Sequence, residues 1–274
     1  MSPPPADDPR ELRELFLAGP KLRLRLLARG NPQGRPVLFL HGITENAAAF
    51  EPILRALPDD LYTLALDLRG RGGSDKPAKG YGALDYAEDL LAVWNRFSGH
   101  ADKPVLVGHS MGGRAACAFA ALYPDLAAGV VLIDPPLSGP GRAPFPLPLS
   151  RFLEPKRALA AGDLEAFRSY YGGEGFDYDR KARELAECSE EAIVLSYEAM
   201  NRDPFHSYYR MLRIPALLIS AGLSPLISED DEEELRGLNR QVRIARMDGV
   251  GHEIHKLAPE RLTGELLGFL SSLS

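Results

Sequence analysis

One heptapeptide limits the folds open to this chain more than any other feature. Val107-Gly108-His109-Ser110-Met111-Gly112-Gly113 follows an apolar run, Pro104-Val105-Leu106-Val107, and precedes a run of helical character from Arg114 to Tyr123. Strand, sharp turn and helix are therefore expected, with a serine at the apex of Gly108-x-Ser110-x-Gly112. The glycines flank the serine because the turn is tight, and a side chain there would collide with the neighbouring strand and helix. Such a turn holds the hydroxyl exposed. It also places the Met111 N–H at a helix start, where it can meet a developing negative oxygen.

The surrounding sequence has a matching rhythm. Short apolar runs, the mark of strands buried on both faces, occur at Val37–Leu40, Tyr62–Leu66 and Val130–Ile133, and Ala216–Ser220 and Val242–Met247 read as further strands. Leu22, Leu24 and Leu26 alternate with Arg23 and Arg25, which predicts a half-exposed strand. Helical spacing appears in Phe50, Ile53, Leu54 and Leu57, again in Leu90, Leu91, Trp94 and Phe97 within Leu84–Phe97, and in Asp231–Leu238 and Pro259–Leu273. Strands alternating with helices imply an α/β fold with a mostly parallel sheet flanked by helices. The rhythm breaks after Asp134-Pro135-Pro136. Pro140, Pro144, Pro146 and Pro148 crowd one stretch, and Arg151 to Met200 reads as several short helices. The expected organisation is a core of 21–137 and 205–274, a helical cap inserted at 138–204, and an N-terminal tail over 1–20 whose Pro- and Asp-rich start, Met1 to Pro9, is expected to be mobile. Gly70-Arg71-Gly72-Gly73 does not fit the Gly-x-Gly-x-x-Gly nucleotide fingerprint and reads as a turn.

Composition narrows the function classes. A net charge of -6 over 274 residues argues against nucleic acid or an anionic membrane as partner. No apolar stretch approaches the roughly 20 residues of a membrane span. The first residues carry neither a basic segment nor an apolar one, so a cytoplasmic protein is expected. Cys117 and Cys188 stand alone and are expected as buried thiols, outside any disulfide framework or metal site. No metal or organic cofactor is implied.

A serine hydroxyl needs a base, an acid that orients the base, and donors for the oxyanion; in this strand order the acid and histidine follow the serine. His252 is the expected base, because Gly249-Val250-Gly251 lets the loop after the last strand bend back over the serine. His255 is the competitor, but it is expected to point elsewhere or begin the next helix. His41 and His109 are expected to hold local structure, and His100 and His206 to lie at the surface. The oxyanion donors are expected to be the backbone N–H groups of Ile43, after His41-Gly42, and of Met111. The acid is open. Ile219 to Pro225, the usual place, holds no carboxylate. Asp134, at a strand end, is one candidate, and the cluster Glu229, Asp230 and Asp231 is the other, with helix capping as its alternative role. Asp67 reads as a loop pin, and Asp248 is too close in sequence to reach behind the His252 ring. Arg142, in the Pro/Gly stretch, is a candidate for binding a substrate carboxylate.

With these residues in view, the chain resembles the α/β-hydrolase superfamily over nearly its whole length, through Gly108-His109-Ser110-Met111-Gly112-Gly113, His41-Gly42 and Gly251-His252. Gly42-Ile43-Thr44, Leu66-Asp67-Leu68-Arg69-Gly70-Arg71-Gly72, Arg114 and Asp134-Pro135-Pro136-Leu137-Ser138-Gly139-Pro140-Gly141-Arg142 are similar to its cofactor-free deformylase members, which release formate from an N-formyl amide. The resemblance implies Ser110 as nucleophile, Asp134 as acid and His252 as base. The expected activity is hydrolysis of a small ester or amide through an acyl-enzyme, with N-formyl amide deformylation in scope. The rivals are a carboxylesterase or carbon–carbon bond hydrolase, a non-catalytic ligand-binding receptor on the same fold, and cofactor-free oxygen chemistry.

Overall fold

The computed structural model describes residues 8–18, 21–96, 99–100, 102–172 and 176–273. Its frame is one eight-stranded sheet of β1 (Arg13–Ala18), β2 (Arg23–Gly30), β3 (Pro36–Leu40), β4 (Tyr62–Leu66), β5 (Val105–His109), β6 (Gly129–Ile133), β7 (Ala216–Ala221) and β8 (Val242–Met247). The spatial order is β1-β2-β4-β3-β5-β6-β7-β8. The pairs β1·β2 and β2·β4 are antiparallel, and all the others are parallel. Between the strands run α1 (Glu51–Ala56), α2 (Ala83–Arg96) and α3 (Met111–Leu122). After β6 come α4 (Ser150–Ala160), α5 (Leu164–Ser169), α6 (Tyr178–Ala186), α7 (Glu190–Arg202) and α8 (Phe205–Met211), and then α9 (Glu229–Leu238), α10 (Ile254–Leu257) and α11 (Pro259–Ser271).

The apolar runs become strands because both faces of the sheet are covered. Leu38, Leu64, Leu106 and Leu132 enter one core with α2 and α3, while Phe39, Ala65, Val107 and Val131 enter the other with α1 and α11. Parallel register aligns the strand ends. Leu40 sits opposite Gly108, Gly108 opposite Leu132, and Ile133 opposite Ile219. The loops after β3, β5, β6 and β8 therefore leave from one edge of the sheet, where polar groups escape the ladder.

Two expectations are corrected here. Residues 13–18 of the expected tail form β1, in register with β2 from Arg13↔Ala28 to Ala18↔Arg23; the Leu15 and Leu17 side chains pack on the core, which a search for long apolar runs passes over. Residues 1–7 of the expected mobile start lie outside the described residues, as does Phe97. The strand at Leu22–Leu26 extends to Gly30, and its second half is buried, with the Arg29 guanidinium donating to the carbonyls of Leu54 and Leu57. Cys117 and Cys188 are free and buried. Among the described residues no helix is long and apolar enough to cross a membrane.

Candidate active site

Ser110 occupies a strained turn between β5 and α3, with φ 55° and ψ −120°. A non-glycine residue in such a conformation costs about 1–3 kcal/mol and persists only where the surroundings enforce it. The enforcement is visible: a Cβ on Gly108 would land on the Gly112 carbonyl, and one on Gly112 would land on the Leu40 carbonyl. The Ser110 N–H is tied to the Ile133 carbonyl at 2.8 Å. The first N–H groups of a helix, here beginning at Met111, have no intrahelical acceptor and carry the positive end of its dipole.

Asp134, fully buried and also at positive φ (44°), leaves β6 beside Ser110. Its Oδ1 accepts the Ala221 N–H at 3.2 Å, and its Oδ2 accepts the Nδ1–H of His252 at 2.7 Å. This fixes the tautomer of His252 and leaves Nε2 as the acceptor. The loop after Asp134 is held from α3: Arg114 donates to the carbonyls of Pro136 (2.7 Å), Ser138 (2.8 Å) and Asp203 (2.9 Å). Burial lowers the Arg114 pKa to about 10.

The rival acid cluster is engaged elsewhere. Asp231 closes a capping box with Ser228 at the start of α9, and Glu229 and Asp230 beside it are exposed. Asp67 pins loops, accepting from the backbone of Ala47 (2.7 Å) and Gly73 (2.8 Å) and from Arg25. Asp248 is exposed and pairs with Arg246. His255 is buried in α10 against Glu45. Arg142 is corrected: its guanidinium forms a bidentate pair with Glu234 at 2.8 and 2.6 Å, and it is absent from the cavity wall at Ser110. A carboxylate close at hand on α9 takes up its charge, a partner 92 residues away in sequence.

That cavity, about 180 Å³, is walled by Ile43, Ser110 and His252 from the sheet edge and by Phe145, Phe152, Arg151 and Lys181 from the segment between β6 and β7. Arg151 lies over the rings of Tyr170 and Tyr171 at 6.0 and 5.9 Å, and no described carboxylate pairs with it. Lys181 is already bonded to the Thr44 carbonyl (2.9 Å) and to Glu184 (3.3 Å). Behind the wall, Arg71 is fully buried without a carboxylate. It donates to the carbonyls of Ile43 (3.1 Å), Arg69 (3.0 Å) and Ala192 (3.0 Å) and to the hydroxyls of Tyr86 and Ser196.

Sequence reasoning missed the hub of the site, Glu45. Its Oε2 accepts the Gly42 N–H at 2.9 Å and meets His109 Nδ1 at 3.2 Å; its Oε1 meets Lys256 at 2.6 Å and His255 Nε2 at 3.1 Å. Burial opposes its ionisation, but Lys256 and the two histidines outweigh this and hold its pKa well below the usual carboxylate range. Glu45, His109 and His255 each aim one possible metal donor into a space 4.8 Å across. The Lys256 ammonium already supplies the positive charge there, so the donor set reads as an ion-pair cluster. The signal available in sequence was a carboxylate four residues beyond His41, on the loop after β3.

Comparison with known proteins agrees with this architecture. Residues 35–177 match the alpha/beta hydrolase fold family. The chain is 33% identical to N-formylmaleamate deformylase of Pseudomonas putida over 81% of its own length and 83% of that protein. It is 31% identical to 2-(acetamidomethylene)succinate hydrolase of Mesorhizobium japonicum over 91% and 93%. The crystal structure of an N-formylmaleamic acid deformylase from Pseudomonas putida superposes with a TM-score of 0.82 at 26% identity, covering 93% of this chain and 99% of that one.

Proposed function

This chain belongs to the α/β-hydrolase fold family, and we propose that within it the protein is a serine hydrolase of small, carboxylate-bearing N-acyl amides. The observation that carries the reading is the 2.7 Å bond from His252 Nδ1–H to Asp134, with the His252 ring and Ser110 in the wall of one cavity. Ser110 Oγ attacks the acyl carbon while His252 Nε2 takes its proton. The N–H groups of Ile43 and Met111 receive the oxyanion; Arg71 holds the Ile43 carbonyl, in the next peptide of the same loop, and Met111 draws on the dipole of α3. The tetrahedral intermediate expels the nitrogen, which takes the proton back from His252. Water, deprotonated by the same histidine, then releases formate or acetate and restores Ser110.

Substrate size follows from the cavity, since about 180 Å³ is small beside the roughly 300–1,000 Å³ of common ligand sites. Charge follows from Arg151, the guanidinium in its wall without a carboxylate partner among the described residues. The names of both relatives describe an N-acyl group on a small carboxylate-bearing molecule. On this reading α4–α7 form the cap that closes the cavity.

The deciding experiment measures formate released from N-formylmaleamate and acetate released from 2-(acetamidomethylene)succinate, with Ser110→Ala alongside. Release by the parent and none by the variant is the expected result. Equal release by both would remove Ser110 from the reaction. Release from neither substrate, with turnover of a small neutral ester instead, would overturn the substrate class.

A further inference from the structure

Both ring nitrogens of His109 face acceptors. Nδ1 lies 3.2 Å from Glu45 Oε2, and Nε2 lies 3.0 Å from the carbonyl oxygen of His252. A peptide carbonyl has no proton to give. Glu45 has none either, because the Lys256 ammonium, 2.6 Å from its Oε1, keeps it ionised. A neutral imidazole has one donor and one acceptor nitrogen, so either tautomer would set a lone pair against an oxygen. The same reasoning gives the opposite result at His41, whose Nε2 accepts the Leu68 N–H (3.0 Å) while Nδ1 donates to the Gly42 carbonyl (2.8 Å). His41 is neutral.

We propose that His109 is a buried imidazolium, and that its charged pair with Glu45 is a positioning device that holds the His252 loop over Ser110. The catalytic half of this inference rests on the serine-hydrolase reading; the charge state does not. His109 is the residue between Gly108 and Ser110, so one end of the device is rigidly attached to the elbow. Glu45 joins it to Gly42 on the oxyanion loop. His109 Nε2–H then reaches the backbone of His252 itself. Three loops that meet at the sheet edge are thus tied through one carboxylate and one ring.

The charged and titratable groups facing His109 come from every side. Glu45 lies on the loop after β3. His252, its ring centroid 4.6 Å away, and Glu253 precede α10, while His255, at 4.4 Å, and Lys256 belong to it. Glu184 and Lys181 from α6 stand behind Lys256, and Asp134 stands behind His252. Burial alone would discharge His109, but Glu45's charge and hydrogen bond outweigh it and hold the pKa above the ordinary 6.5. His255 takes the other course: burial lowers it to about 4, so it stays neutral and donates Nε2–H to Glu45. Because the folded value for His109 is raised, its contribution is complete below pH 6.5 and lost as the pH climbs through that raised value.

The first test is nitrogen-15 NMR of the histidine-labelled parent protein. Both His109 nitrogens should be protonated at pH 7, and an unprotonated Nδ1 or Nε2 there overturns the proposal. The second is the rate of Ser110 labelling by a fluorophosphonate as a function of pH, in the parent and in Glu45→Gln. The variant should label about 10–100-fold more slowly, the scale of a misplaced catalytic group, and its alkaline fall should begin at lower pH. Labelling at the parent's rate with an unchanged pH profile overturns the positioning role. If Glu45→Gln does not fold, the parent decides: labelling must decline in step with the His109 titration, and a rate indifferent to it overturns the role. A parent that never labels refutes the serine-hydrolase reading instead, and the NMR titration still decides the charge of His109.

Discussion

Asp134 Oδ2 and His252 Nδ1 are 2.7 Å apart, although 118 residues separate them in the chain. The carboxylate leaves from the end of β6, and the imidazole reaches it from beyond β8, across the end of β7. Asp134→Asn keeps the shape but offers an amide in place of an acceptor-only group, which favours the wrong tautomer of His252. We expect kcat to fall by about 10³–10⁴-fold with little change in KM. Steady-state kinetics on the acyl amide tests this, and a loss below tenfold would remove Asp134 from the role of orienting acid.

Arg151 and Arg142 make a matched pair of variants. Arg151 lines the cavity with no carboxylate paired to it among the described residues, whereas Arg142 is clamped to Glu234 outside it. Arg151→Ala should raise KM for a carboxylate-bearing substrate at least tenfold, about the worth of one charge-assisted hydrogen bond. Arg142→Ala should leave KM alone. The reverse pattern would relocate the substrate carboxylate to the α9 side.

Arg71→Met removes the buried donor to Ile43, Arg69 and Ala192 and strands three carbonyls. Leaving such acceptors unsatisfied costs about 2–4 kcal/mol, which for a domain of this size is a drop of roughly 5–15 °C in the thermal midpoint. Phosphonate labelling should slow as well, because the loop that carries the Ile43 N–H loses its hold at the Ile43 carbonyl. A variant as stable and as quickly labelled as the parent would contradict both statements.

Acid should destabilise the fold before its carboxylates titrate. Burial lowers the pKa of His41 and His255 to about 4. In the unfolded chain each takes up a proton near 6.5. Their depressed folded values mean that the stability they contribute declines as the pH falls from about 6.5 toward 4, and their own share of the loss is complete below it. Between pH 6.5 and 5 His206, also near 4, acts in the same direction, while the buried carboxyls of Glu184 and Asp89, raised by burial, act against it. Urea midpoints measured across that window should fall steadily; a flat series would show that these rings are charged in the folded protein.

Some parts of the molecule were legible in the sequence and others were not, for identifiable reasons. The parallel strands were plain because burial on both faces forces unbroken apolar runs such as Val37–Leu40 and Val130–Ile133. The elbow was plain because only glycine fits at 108 and 112. Asp134 stood at a strand end with Pro135 after it, so its place at the sheet edge followed from topology. β1 was hidden because an edge strand shows only weak alternation. Glu45 and Lys256 were hidden because buried charges look like surface charges in a sequence, and only the fold brings them within 2.6 Å. Arg142 misled for the same reason, since a bidentate partner 92 residues away leaves no local trace.

Arg71 also ties the segment between β6 and β7 to the edge of the sheet. It grips the loop after β3 at Ile43 and helix α7 at Ala192 and Ser196 with a single guanidinium. Outward movement of α7 would break these bonds and disturb the loop after β3, so that loop and α7 are coupled. Helix α4 meets α7 through the exposed pair Arg157–Glu190, worth little by itself, and through the Phe152 and Tyr197 rings, whose centroids are 6.3 Å apart. Two guanidiniums thus divide the surroundings of Ser110 between them: Arg151 on α4 stands in the cavity wall, and Arg71 behind it joins α7 to the loop after β3.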